Sequence, residues 1–185
     1  MTEARLVAEA LSGSSSAFER IVRRYQRPVI SLIARMTGDV ALAEELAQDT
    51  FVKAYRRLQA FDTTRRLSSW LFRIAHNTAI DALRRAPRRE VPLAGPGERE
   101  GPHMAAPARS DPVEQEVLAR ALETAMRELR PEFRAALVLR YEEGLSFDEI
   151  GHALGIPEAT ARSHVHRARK DMARRLARAG WAPPE

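Results

Sequence analysis

Apolar positions recur along this chain at the three-to-four-residue spacing of one helix face, and nowhere alternate with polar ones over a strand's length. In the first half the pattern predicts four helices, over about residues 3–12, 16–35, 40–59 and 68–85. The second carries Phe18, Ile21, Tyr25, Val29 and Leu32 on one stripe, with Pro28 inside it. The third carries Ala43, Leu46, Ala47, Thr50, Phe51 and Ala54, and the fourth Leu71, Ile74, Ala75 and Thr78. Four more helices are predicted over about 112–128, 131–142, 146–154 and 157–178. Stripes of this kind face a core by default, so these positions are read as packing.

The punctuation agrees with the periods. Gly13, Gly38, Gly144, Gly155 and Gly180 each follow an apolar-periodic stretch, where a helix ends in the left-handed conformation. Ser16-Ala17-Phe18-Glu19 and Ser146-Phe147-Asp148-Glu149 both fit a capping box. Asp111-Pro112 offers an acid at a cap and a proline at the first helical position. Between the halves, residues 86–112 hold six of the 11 prolines and three of the nine glycines and repeat no apolar period. They read as an extended linker between an N-terminal domain, 1–85, and a C-terminal one, 113–180. The expected fold class is all-α, two small helical domains joined by a flexible linker.

Near the C-terminus a short helix, the turn Leu154-Gly155-Ile156-Pro157 and a longer helix form a helix-turn-helix pattern, with Gly151 small enough to let the helices approach. Charge singles out its second helix. Residues 113–161 carry five Arg against ten acids, whereas 162–178 carry seven Arg or Lys against one Asp. The N-terminal turns of such a helix read bases in a major groove. Glu158, Thr160, Arg162, Ser163 and His166 are therefore candidate base or sugar contacts, and Arg167, Arg169, Lys170, Arg174 and Arg175 candidate phosphate anchors. A solvated basic face favoured by the helix dipole is the plainer alternative. In the first half, residues 39–49 hold four acids and no cation, while 64–90 hold seven Arg against two acids. The acids either complement a helix N-terminus or dock a basic protein. Arg73, Asn77, Asp81 and Arg84 share one face that either binds nucleic acid or faces solvent.

Composition bounds the chemistry. The 185 residues include no cysteine, which excludes disulfides, thiolate metal sites and a cysteine nucleophile from this chain and fits a reducing cytoplasm. Of the 30 cations 28 are Arg, suited to bidentate pairing with phosphate and base edges, although a GC-rich genome gives the same excess. No secretory signal is expected, no apolar run approaches the roughly 18 residues of a membrane span, and no phosphate-cradling glycine loop is present. His164 and His166 point to different helix faces, so no metal site is expected.

The motifs together resemble bacterial RNA polymerase sigma factors of the extracytoplasmic-function group. In the first half the likeness rests on Ala17-Phe18-Glu19, Arg24-Tyr25, Gly38-Asp39, Ala43-Glu44-Glu45-Leu46-Ala47-Gln48-Asp49-Thr50-Phe51 and Trp70-Leu71-Phe72-Arg73-Ile74-Ala75-His76-Asn77. In the second it rests on Tyr141-Glu142-Glu143-Gly144-Leu145-Ser146, Leu154-Gly155-Ile156-Pro157 and His166-Arg167-Ala168-Arg169. The resemblance implies sigma region 2, a linker, and sigma region 4. It implies that Asp39, Glu44, Glu45, Gln48 and Asp49 dock on the β′ clamp helices of core RNA polymerase. Phe61, Arg65, Arg66, Arg73, Asn77, Arg84 and Arg85 would meet the −10 promoter element, with residues 61–68 forming the loop that captures an unstacked base. Trp70 is expected in the core, with stacking on a base as the alternative. The helix after Pro157 would read the −35 element, and another surface of region 4 would touch the β flap. The activity implied is recognition and melting with no covalent step and no cofactor; an anti-sigma factor is a partner the group often has. Ala159, Ala161 and His164 depart from the group's common residues in the recognition helix. Rival readings are a stand-alone helix-turn-helix regulator, which leaves the first half unexplained, and a protein-binding helical adaptor.

Overall fold

The structure, a computed structural model, describes residues 3–85 and 112–181, and every regular element in them is helical. The first half folds as α1 (Glu3–Leu11), α2 (Ser15–Thr37), α3 (Val40–Arg56), a 3-10 turn (Leu58–Ala60) and α4 (Leu67–Arg85). The second folds as α5 (Pro112–Arg127), α6 (Pro131–Tyr141), α7 (Phe147–Leu154) and α8 (Glu158–Arg178). All eight helices lie where the apolar periods predict them.

Their ends are set by local hydrogen bonds, and here two expectations are corrected. The first capping box does not form. Ser14 caps α2, its Oγ accepting from the Ala17 amide at 3.3 Å, so Ser16 lies inside the first turn. The Glu19 carboxylate instead accepts from Arg23 one turn on, at 2.6 Å. The third helix is also shorter than predicted: Arg57 leaves helical geometry (φ −109, ψ 10), and the chain tightens into the 3-10 turn that buries Leu58. The second box is present in full, with Ser146 Oγ accepting from the Glu149 amide at 3.2 Å and the Glu149 carboxylate from the Ser146 amide at 2.7 Å. Pro112, counted with the linker, is the first residue of α5; the cap expected at Asp111 and the rest of the linker lie outside the described residues.

Within the first half, α2 packs against α1, α3 and α4 around Ile21, Val29, Leu32, Ile33 and Phe72. In the second, α8 packs on α6, α7 and α5. The sequence reading did not anticipate how closely the halves join. From Arg134 to Leu139 every residue of α6 is buried, because α2 covers one side and α7 and α8 another. α7 also lies along α4, and the buried residues of both halves form one continuous core.

Polar contacts tie this seam. Arg134, only 8% exposed, donates to the Arg35 carbonyl at the end of α2 (2.6 Å) and to the Leu129 carbonyl (2.9 Å). Glu142 accepts from Ser31 at 3.2 Å and lies 3.7 Å from Arg35. Arg66 reaches Glu149 of α7 at 3.3 Å. Burying a guanidinium is favourable only where its donors find acceptors. Two carbonyls at helix ends, with orphan lone pairs, supply them here for Nη1 and Nη2, while the buried Nε has no partner among the described residues.

Candidate nucleic-acid interface

The α7–α8 pair has the geometry of a reading head. A Cβ on Gly151 would stand 2.8 Å from the Ile156 carbonyl, so only glycine permits this approach of turn to helix. Gly155 makes the turn at φ +69. Ile150, Ala161, Val165 and Ala168 are buried beneath it. α8 therefore turns Glu158, Arg162, His166, Arg167, Arg169 and Lys170 to solvent, with Thr160 and Ser163 half-buried between them. Arg162 donates to Glu158 at 2.9 Å and rests 4.6 Å over the Phe147 ring. Two expected phosphate anchors are already engaged: Arg174 pairs with Asp171, and Arg175 with Glu128 at the end of α5. His164 turns inward against the Phe133 ring at 5.1 Å.

The basic face of α4 has a different setting. Arg73, Asn77, Arg84 and Arg85 are exposed, and the first three line an open groove of about 870 Å³. Its far wall is α7, through His152 and Leu154. Arg65 lies 3.7 Å from Asp62, and Arg66 is held by Glu149. Asp62 accepts from the Thr64 amide and hydroxyl at 3.0 and 2.7 Å, and these bonds hold its carboxyl below the usual carboxylate range. Phe61 is only 8% exposed and packs on Trp70 with ring centroids 5.2 Å apart, yet it lines the same groove as Arg73, Asn77 and Arg84. Trp70 is half-buried on the core and lines the groove. Leu67 and Ser68, expected in the loop, are buried residues of α4.

Three imidazoles line the seam. His76 of α4 faces both the main groove and a smaller one shared with Glu132 and His164; His152 lies across from Arg73. Each has a buried Nδ1 with no hydrogen-bond partner. Burial lowers the pKa of all three, and Arg65 and Arg73 lower that of His152 further. They are held neutral around neutrality. Among the described residues no group of three or more His, Cys, Asp or Glu is placed to hold a metal ion, and no helix is long and apolar enough to cross a membrane.

On the opposite side, α3 turns Glu44, Glu45, Gln48 and Asp49 to solvent. Asp39 is exposed too, but its carboxylate caps α3 by accepting from the Leu42 amide at 3.0 Å. The sequence reading missed the apolar part of this surface. Val40, Val52 and Tyr55 are about half exposed beside the acids. Val52 and Tyr55 fall outside the inward set of α3, which was the available signal.

Two family models match in chain order: Sigma-70 region 2 over residues 21–89 and Sigma-70, region 4 over residues 119–172. The chain is 32% identical over 176 residues to the ECF RNA polymerase sigma factor SigW of Bacillus subtilis, covering 92% of this chain and 94% of that one. It belongs to the ECF RNA polymerase sigma factors. It is thus an alternative sigma factor that directs promoter-specific transcription initiation, and the stand-alone regulator falls, because region 2 accounts for the first half. RNA polymerase sigma factor CarQ of Myxococcus xanthus is 39% identical over 155 residues, covering 84% of this sigma factor and 86% of CarQ. Among solved structures, CnrH in complex with the cytosolic domain of CnrY matches with a TM-score of 0.65 at 27% identity, over 95% of this chain and 97% of that one. The sigma factor RpoE of Bartonella quintana, solved with the anti-sigma factor NepR, has the same fold, with a TM-score of 0.66 at 23% identity over 86% and 96% of the two chains.

Proposed function

We propose that this sigma factor divides its work among three surfaces, with region 2 in residues 1–85, a linker in 86–112 and region 4 in 113–180. α3 docks core polymerase on the β′ clamp helices through Glu44, Glu45, Gln48 and Asp49, with Val52 and Tyr55 adding apolar contact and Asp39 holding the helix start. α4 meets the −10 element through Arg73, Asn77, Arg84 and Arg85, with Arg65 and Arg66 beside the capture loop. α8 reads the −35 element through Glu158, Thr160, Arg162, Ser163 and His166, with Arg167, Arg169 and Lys170 on phosphates. Region 4 also touches the β flap. The observation that carries this reading is the separation of charge by surface: an outward acidic face on α3, and outward basic faces on α4 and α8.

The chemistry is recognition and strand opening, with no covalent step. Extruding a −10 base costs a few kcal/mol, a scale that a pocket and phosphate contacts can offset. The two elements, named for positions 25 base pairs apart, lie roughly 85 Å apart at about 3.4 Å per base pair. α4 and α7 touch, so the seam must part before both elements are held. The 26 residues between Arg85 and Pro112 reach at most roughly 90 Å, enough for that span. The factor acts in the cytoplasm, where its polymerase is. An anti-sigma factor, as the resemblance implies, is its further partner; that a fold of this kind binds a second protein is supported by the complex of CnrH with the cytosolic domain of CnrY.

The test is transcription from a genomic promoter library by core polymerase with the purified factor. Starts sharing a −35 and a −10 sequence are expected. Glu44→Lys with Glu45→Lys should abolish them by loss of co-elution with core while helicity stays unchanged; normal co-elution of that variant contradicts the docking surface.

A further inference from the structure

Phe147 is the first residue of α7, half-buried on the core, and none of the three surfaces uses it. Two guanidinium groups rest on its ring: Arg140 at 4.7 Å from the centroid and Arg162 at 4.6 Å. Arg140 is fixed in turn by a bond from its Nη1 to the Leu145 carbonyl, 2.8 Å. The ring is fixed from the other direction by the capping box one residue before it. Phe147 is thus a rigid platform, and the mobile member of the group is Arg162.

Arg162 has one other constraint, the ion pair to Glu158 on its own helix at 2.9 Å. Their side chains are 63% and 51% exposed, and an ion pair so exposed holds a long side chain weakly. A ring face holds it differently. Stacking covers the flat face of the guanidinium and leaves its in-plane N–H donors free, the edge that pairs with guanine O6 and N7. Of the five donors one is committed, to Glu158.

We propose that Phe147 is a positioning residue for −35 recognition, holding the Arg162 guanidinium in a preset orientation for a bidentate base contact. The proposal rests on the assignment of Arg162 as a base reader. It explains an aromatic ring left half-exposed at the start of the supporting helix. It also couples the start of α7, through the capping box, to the specificity of α8.

The experiment measures initiation by holoenzyme on promoters carrying every single base-pair change across the −35 element. The readout is the preference ratio at each position, which a general loss of folding does not move selectively. Arg162→Ala should flatten the preference at one or two positions. Phe147→Leu, which keeps an apolar side chain but no ring face, should reduce the preference at those same positions about three- to fivefold. Phe147→Tyr should restore it, and Phe147→Leu should have no added effect in the Arg162→Ala background. If Arg162→Ala changes no preference, the base-reading assignment fails and the proposal with it. If Arg162→Ala flattens a position where Phe147→Leu matches the wild type, base reading stands and positioning by Phe147 is overturned. An equal loss on Phe147→Leu in both backgrounds overturns it too.

Discussion

α4 and α8 carry the two basic faces of this sigma factor, and they are presented in opposite ways. α8 turns its cations outward with its apolar side on α6 and α7, so its reading edge is open as it stands. α4 turns Arg73, Asn77 and Arg84 into a groove whose other wall is α7. The face proposed to read duplex is free, and the face proposed to meet the −10 element is half-enclosed by α7. On the proposed assignment the two promoter contacts are not equivalent: the −35 contact needs no rearrangement, whereas the −10 contact needs the seam to part.

The strongest way to break the contrast is to cut the seam. Arg134→Ala leaves the Arg35 and Leu129 carbonyls without their donor, and losing charge-assisted bonds at a buried site costs about 1.5–3 kcal/mol. Urea denaturation should show that loss, and hydrogen exchange should show α2 and α6 exposed while α8 stays protected. Gly151→Ala comes next. Its new Cβ meets backbone at 2.8 Å, a position with little room to give, and overpacking of this kind costs about 1–3 kcal/mol. The same denaturation measures it, and an unchanged midpoint would mean that the α7–α8 turn is looser than described.

A smaller effect sharpens the contrast. Arg169→Ala with Lys170→Ala should lower the salt dependence of −35 duplex binding by a slope of about 2 for two lost phosphate contacts. Arg73→Ala with Arg84→Ala should leave that slope unchanged for the free protein and reduce open-complex formation with polymerase. The smallest expected effect is on pH. His76 titrates below its ordinary value of 6.5 because it is half-buried at the seam, with a hydrogen bond to Asn77 and then Glu132 opposing the shift. Above 6.5 both closed and unfolded forms hold it neutral, so its contribution is flat. As pH falls below that value the unfolded chain takes up the proton first, and stability declines until the folded group also titrates. His76→Gln should flatten that decline in a pH series of denaturation curves.

The helices and their left-handed glycine ends were legible because period and punctuation are local. Errors came where local signals were degenerate. Ser14, Ser15 and Ser16 run together at the start of α2, and Ser14 rather than Ser16 takes the cap, since the chain turns at Gly13 with φ +96 just before it. Phe61 was assigned to nucleic acid by resemblance; its packing on Trp70 at the edge of the α4 groove could not be read from sequence. The seam was not legible. An apolar run such as Ala135 to Leu139 looks the same whichever helices enclose it, and nothing in sequence marks Arg134 as a buried guanidinium. The acids of α3 and the cations of α8 stood out because charge that sorts to one face survives any packing. Val52 and Tyr55 did not, because exposed apolar residues are common singly.

The central claim is that the two halves touch in the free factor and part on the promoter. The chain has no cysteine, so Ala41→Cys on α3 and Ala177→Cys on α8, both exposed, accept a donor and an acceptor dye without competition. Energy transfer between them should fall sharply from its value in the free protein when core polymerase and a promoter duplex with both elements are added. Transfer that stays at that value in a complex proven to initiate transcription would contradict the account.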